Sequence, residues 1–237
     1  MFPNIKISNL SFSYENTPIL TNVNLTLPKN QFYGIIGPNG GGKTTFIKLL
    51  MGLLTPTKGK ISLFGLSHTT LRKKIGYVPQ TSLIDRDFPI RVLELVLLGA
   101  LSQTNFLGQY PITVKEKALN LLKALDLYSL REAPFQELSL GQMQKVFFAR
   151  SLISDPLILI LDEPTASVDI QSEKKIFSLL KSIKHTKTIF IVSHDLNTMA
   201  NEVDQILYVH KTIELKQPNE ICGHFSLGLY HENSLKD

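Results

Sequence analysis

An α/β fold, with a mainly parallel sheet flanked by helices, is what this 237-residue sequence predicts. Three observations carry the prediction. Short apolar runs alternate with longer amphipathic ones, the pattern of strand–helix–strand units. The run LILILD (157–162) is apolar nearly throughout, as a strand covered on both faces requires. The stretch VKEKALNLLKALDL places Ala118, Leu121, Leu122 and Leu125 at i, i+3, i+4 and i+7, which is one face of a helix.

Taken in chain order, strand patterns fall at IKISNLSFSY, QFYGIIG, KKIGYVP, LILILD, TIFIVS and DQILYVH. Helix patterns fall at 43–51, 114–124, 141–153 and 170–182. The first sixty or so residues read as β-rich apart from the helix at Lys43. From about Phe88 to Leu152 the reading is mostly helical, with no convincing strand, and we expect a helical insertion into the core there. No internal repeat or low-complexity linker interrupts the pattern. After Lys216 the signal fades to a short helix and a loose tail.

Composition narrows the class. Hydrophobic residues make up 43% and charged residues 19%, ordinary globular values. There is no Trp and one cysteine, Cys222, so no internal disulfide is available, which suits a reducing compartment. The opening MFPNIKISNLSF lacks a basic cluster followed by an apolar run, so no secretory signal is expected. The most apolar window, VLELVLLGAL, contains Glu94 and is about half of a membrane span. We therefore expect a soluble chain that reaches a membrane through a partner. The net charge of +5 comes from scattered lysines and reads as a solvated surface. No zinc-finger spacing or aromatic-rich RNA-binding motif points to nucleic acid, and no structural-metal spacing is visible.

The stretch GPNGGGKTT (37–45) fits G-x-x-x-x-G-K-[ST] through Gly37, Gly42, Lys43 and Thr44, with a strand before it and a helix after it. This is the context of a phosphate-binding loop. Glycines let the backbone curl so that its N–H groups point at phosphate oxygens, and the helix adds the positive end of its dipole. Pro38, Asn39, Gly40, Gly41 and Thr45 complete the candidate loop. Lys43 brings charge to the β- and γ-phosphates, and Thr44 offers a hydroxyl to Mg²⁺. The fold class sharpens to a P-loop NTPase core. Further on, LILILDEPT ends a buried strand with Asp162 and Glu163, at the carboxyl edge where parallel sheets bind ligands. Asp162 suits the Mg²⁺ shell, and Glu163 suits general-base activation of water.

The ordered set GPNGGGKTT, YVPQ, ELSLGQMQKVFFARSL, LILILDEPTASVD and IVSHD resembles the nucleotide-binding subunit of an ABC transporter across about residues 5–216. The resemblance implies a single nucleotide-binding domain over 1–237. In it an ATPase core with an N-terminal antiparallel β region occupies about 1–84 and 153–216, a helical signature subdomain about 85–152, and a C-terminal tail 217–237. It implies that Tyr14 stacks on adenine and that Gln80 touches Mg²⁺ or water. It makes His194 the switch histidine on the γ-phosphate, and Ser167 and Asp169 the D-loop, with Val168 where the common form has Leu. The family's L-S-G-G-Q appears as Leu138, Ser139, Leu140, Gly141 and Gln142, with Leu140 replacing the first glycine. By the resemblance these signature residues face the ATP of an opposing protomer. Ser139 and Gln142 are also spaced S-x-x-Q, a capping box that would start a helix in any protein.

The resemblance further implies ATP and Mg²⁺ as cofactors, a second ATP-binding domain in a homodimer, transmembrane permease subunits and an extracytoplasmic solute-binding protein. Its expected location is the cytoplasmic face of the cell membrane, as a peripheral subunit. The segment TSLIDRDFPIRVLELVLLGA, with Asp85, Arg86 and Asp87, is the expected permease contact and resembles that of manganese, zinc and iron importers. Competing readings are an importer of another substrate, a soluble ABC ATPase acting on ribosomes or DNA, and an inert nucleotide-binding regulator. The single cassette, without sustained heptads, weighs against the second, and the presence of both Glu163 and His194 against the third.

Overall fold

A computed structural model describes residues 4–65, 74–80, 89–164, 169–193 and 195–220. The described residues of Met1–His68 and Val192–Asp237 form one compact unit, and those of Thr69–Ile191 a second.

In the first unit, β1 (Ile5–Tyr14) lies between β2 (Thr17–Leu27) and β4 (Lys58–Leu63), antiparallel to both. Ile5 pairs with Leu27 on one side and Leu63 on the other. The buried face of β1 begins at Ile5 and Ile7 and continues at Leu10 and Phe12, a change of parity. Strict alternation would turn the second pair to solvent. The register slips between Ile7 and Leu10, where Asn9 adopts φ +48°, and this bulge restores the inward aim.

The same unit holds β3 (Phe32–Ile36), buried along its whole length, and the helix after it, α1 (Lys43–Leu50). β3 runs parallel to β8 (Gln205–His210), with Tyr33 opposite Gln205 and Ile36 opposite Tyr208. The start of β3 is pinned where the Phe32 N–H donates to Asp204 Oδ2 at 2.9 Å and the Asp204 N–H donates to the Phe32 carbonyl at 2.8 Å. β9 (Thr212–Lys216) returns antiparallel to β8 through a tight turn at Lys211, φ +58°.

The second unit pairs β5 (Ile75–Val78) in parallel with β6 (Ile158–Asp162), with β7 (Thr188–Val192) next in order. Between β5 and β6 come α2 (Val92–Leu98), α3 (Ile112–Ala124) and α4 (Leu140–Leu152). α5 (Ile170–Ile183) follows β6. Val92, Val96, Ala118, Leu122, Val146 and Phe148 are buried, and Phe135 meets Phe147 edge-on at 5.6 Å. α2 approaches α4 so closely that a Cβ on Gly99 would lie 2.0 Å from the Arg150 carbonyl oxygen. Only a glycine admits that approach. Among the described residues from Pro89 to Leu152 the one β feature is an isolated bridge, Arg91 to Pro134. The first unit also contains α6 (Leu196–Glu202).

Candidate functional site

The loop after β3 is shaped by its neighbours in the first unit. Gly37, Gly40 and Gly42 take φ values of +147°, +77° and +106°. A Cβ on Gly37 would sit 2.1 Å from the Val209 carbonyl oxygen, and one on Gly41 would sit 2.7 Å from it. The loop is therefore pressed against the end of β8, and side chains at these positions would drive it off. Backbone bonds continue the bracing. The Lys211 N–H donates to the Gly41 carbonyl at 3.2 Å, and the Thr21 N–H donates to the Lys211 carbonyl at 2.7 Å.

Gly42 caps α1 without any side-chain bond, and the first turn of α1 carries no acidic residue. The leading N–H groups and the dipole thus favour an anion. Asn39 and Gly40 are exposed at the crest, where a Cβ on Gly40 would meet nothing within 4 Å. Lys43 Nζ donates to the Gly37 and Pro38 carbonyls at 2.8 and 3.0 Å, holding the cation across the loop. Thr44 is exposed and Thr45 is buried at 7%. Tyr14 remains 44% exposed, its ring standing edge-on to Phe12 at 4.9 Å. That leaves aromatic surface on which a flat base can stack.

The second unit gathers the acidic pair. β6 is buried up to Leu161, and Asp162 and Glu163 emerge half-buried at its end. The Tyr77 hydroxyl donates to Asp162 Oδ2 at 3.3 Å. Burial first, then the Asp162 charge and that hydrogen bond, push Tyr77 up to about 12. Gln80 Nε2 donates to Glu163 Oε2 at 2.8 Å, so two candidates chosen from separate motifs meet directly. Glu163 takes φ +50°, a left-handed conformation for a non-glycine residue. Its carbonyl accepts from Gln144 Nε2 of α4 at 3.2 Å.

α4 starts at the capping box expected from its sequence. The Gln142 N–H donates to Ser139 Oγ at 3.3 Å, and the Ser139 N–H donates to Gln142 Oε1 at 2.9 Å. Ser139 and Leu140 are exposed, with Gly141 and Gln142 partly so. The helix start therefore presents its N–H groups outward. Asp169 caps α5, its carboxylate accepting from the Ser172 N–H at 3.0 Å, and bonding to Ser172 lowers its pKa. His194, Ser167, Val168, Asp85, Arg86, Asp87 and Cys222 lie outside the described residues.

Two contacts at the acidic end were not anticipated from sequence, those of Tyr77 and Gln144. Helical periodicity held a signal for the second. Gln144 lies three and four residues before Phe147 and Phe148, on their apolar face, so a buried amide was legible as an anomaly.

A glycine-shaped anion loop between strand and helix, in an α/β chain that also carries an acidic strand end, defines a P-loop nucleoside-triphosphatase. Comparison with known proteins narrows this. The model of the family described as ABC transporter matches residues 20–166. The manganese transport system ATP-binding protein of Bacillus subtilis is 37% identical over 211 residues, covering 89% of this chain and 84% of that protein. The zinc transport system ATP-binding protein of Treponema pallidum is 35% identical over 207 residues, covering 87% and 78% respectively. Among solved structures, a dimeric ATP-binding cassette in a post-hydrolysis state, bound to ADP and phosphate, superposes with a TM-score of 0.78. It is 27% identical, covering 90% of this chain and 98% of that one. The chain belongs to the ABC transporter family and is its ATP-hydrolysing subunit type.

Proposed function

We propose that this ATPase powers import of a divalent metal ion through a separate membrane permease. The observation that carries the catalytic part is the Gln80–Glu163 hydrogen bond at 2.8 Å, beside Asp162 at the end of β6. It unites residues picked independently from YVPQ and LILILDEPT. The metal part rests on relatives named for manganese and zinc transport.

In this scheme the loop from Gly37 to Thr45 binds the triphosphate of ATP, and Tyr14 stacks on adenine. The Thr44 hydroxyl, the Asp162 carboxylate and the Gln80 amide oxygen are hard oxygen donors, the set that suits Mg²⁺. These residues would hold Mg²⁺, which would supply positive charge to offset that of the phosphates. Glu163 accepts a proton from the attacking water as its oxygen bonds to the γ-phosphorus. The bond to the bridging oxygen breaks, leaving ADP and phosphate. His194 steadies the γ-phosphate. Ser139, Leu140, Gly141 and Gln142 face the nucleotide of a second copy of the chain, and Ser167 and Asp169 line that same junction.

Two copies close around two Mg·ATP and reopen when the bridging phosphate is lost, which drives the permease between inward and outward states. No helix among the described residues is long and apolar enough to cross a membrane. In the proposed scheme the subunit docks peripherally at the cytoplasmic face of the permease, and a solute-binding protein delivers the metal from outside. Glu163→Gln should retain ATP binding and cut steady-state phosphate release by about a hundredfold or more; undiminished release would overturn the base assignment. Uptake of labelled Mn²⁺ and Zn²⁺ by the complete complex, with and without this subunit, tests the substrate. Uptake that survives loss of the subunit would remove the metal reading.

A further inference from the structure

The peptide that carries Glu163 is gripped by a side chain with no place in the scheme above. Gln144 is 1% exposed, and its Nε2 donates to the Glu163 carbonyl at 3.2 Å. Its Oε1 is buried and finds no hydrogen-bond partner among the described residues. A buried amide satisfied on one side is a poor way to fill space, since an apolar side chain of the same shape avoids desolvating the orphaned oxygen. Its contact lands on a residue at φ +50°, a conformation that a glutamate keeps only when its surroundings impose it. The side chain of the same Glu163 is held separately by Gln80 at 2.8 Å. The carboxylate and the backbone that aims it thus have different keepers.

We infer that Gln144 is a positioning residue that couples the signature helix α4 to Glu163 of the same subunit. The inference rests on the base assignment proposed above. Gln144 lies little more than one helical turn from Ser139, the residue that starts α4. An α-helix moves as a stiff body, so a shift of α4 when its N-terminus engages phosphate is passed to the Glu163 peptide through this hydrogen bond. The nucleotide that the signature engages is bound by the opposing copy, whereas Glu163 serves the nucleotide of its own loop. Gln144 therefore makes the readiness of one base depend on engagement of the other nucleotide.

The test is Gln144→Met in the purified full chain, a substitution close in shape that removes both the donor and the orphaned acceptor. The denaturant midpoint should be unchanged or higher, and affinity for a fluorescent ATP analogue should stay within about twofold. The kcat for ATP should fall by about ten- to a hundredfold, the scale that small misplacements of a catalytic group cost. Ser139→Ala should then cost less in the Gln144→Met background than in the native one, because the link it acts through is already cut. A kcat within about twofold of native, a loss matched by equal losses of stability or ATP affinity, or full additivity with Ser139→Ala would overturn the inference. Glu163→Gln measured alongside separates the two claims. Normal hydrolysis in Glu163→Gln removes both, whereas lost hydrolysis there with a normal Gln144→Met removes the coupling alone.

Discussion

Asp162 and Glu163 are adjacent in sequence but are held differently, and the proposed scheme gives them different tasks. Asp162 receives the Tyr77 hydroxyl at 3.3 Å, and a Tyr77 pKa pushed up to about 12 keeps that hydroxyl a donor throughout the neutral range. The bond fixes the carboxylate without taking its charge. Tyr77→Phe should therefore raise the Mg²⁺ concentration for half-maximal hydrolysis by roughly fivefold, equivalent to about 1 kcal/mol for one hydrogen bond. ATP affinity measured calorimetrically without Mg²⁺ should not move; an equal loss with and without Mg²⁺ would place Tyr77 elsewhere in the scheme. Glu163, in contrast, is clamped at both carbonyl and carboxylate by the amides of Gln144 and Gln80.

At the scale of elements, the start of α4 serves folding through its capping box and, in the proposed scheme, a ligand as well. The reciprocal bonds of Ser139 and Gln142 satisfy two backbone donors that the helix start would otherwise leave open. Ser139→Ala should cost about 1 kcal/mol of stability, read from urea denaturation. If Ser139 also touches phosphate, hydrolysis falls further than that stability loss explains, even at temperatures where the variant is fully folded. The helices from Ile112, Leu140 and Ile170 were readable because periodic apolar faces and caps are local. The strand β9 was not, because IELK is short and half exposed and becomes a strand only by pairing with β8. The bulge at Asn9 was equally hidden, since the slipped parity of β1 reads as a broken alternation until its partners are known.

On the scale of the whole molecule, sequence order carried the class, since five motifs in series identify the family before any coordinate does. What it could not carry were contacts between residues far apart in the chain, such as Tyr77 to Asp162 and Gln144 to Glu163. Spacing along the chain has no bearing on those distances. If each nucleotide needs a loop from one copy and a signature from another, specific activity must fall on dilution as pairs separate. Rates measured alongside sedimentation at falling concentration check this, and a monomer turning over at an undiminished rate would contradict it. The hairpin joining β8 to β9 has a last bearing on such a machine. Through Lys211 it is tied by one backbone bond to Gly41 and by another to Thr21. It thus spaces the glycine loop after β3 from the strand β2 like a fixed spacer bar. Lengthening that bend by a residue would leave the local motif spelling intact and still put the two out of step.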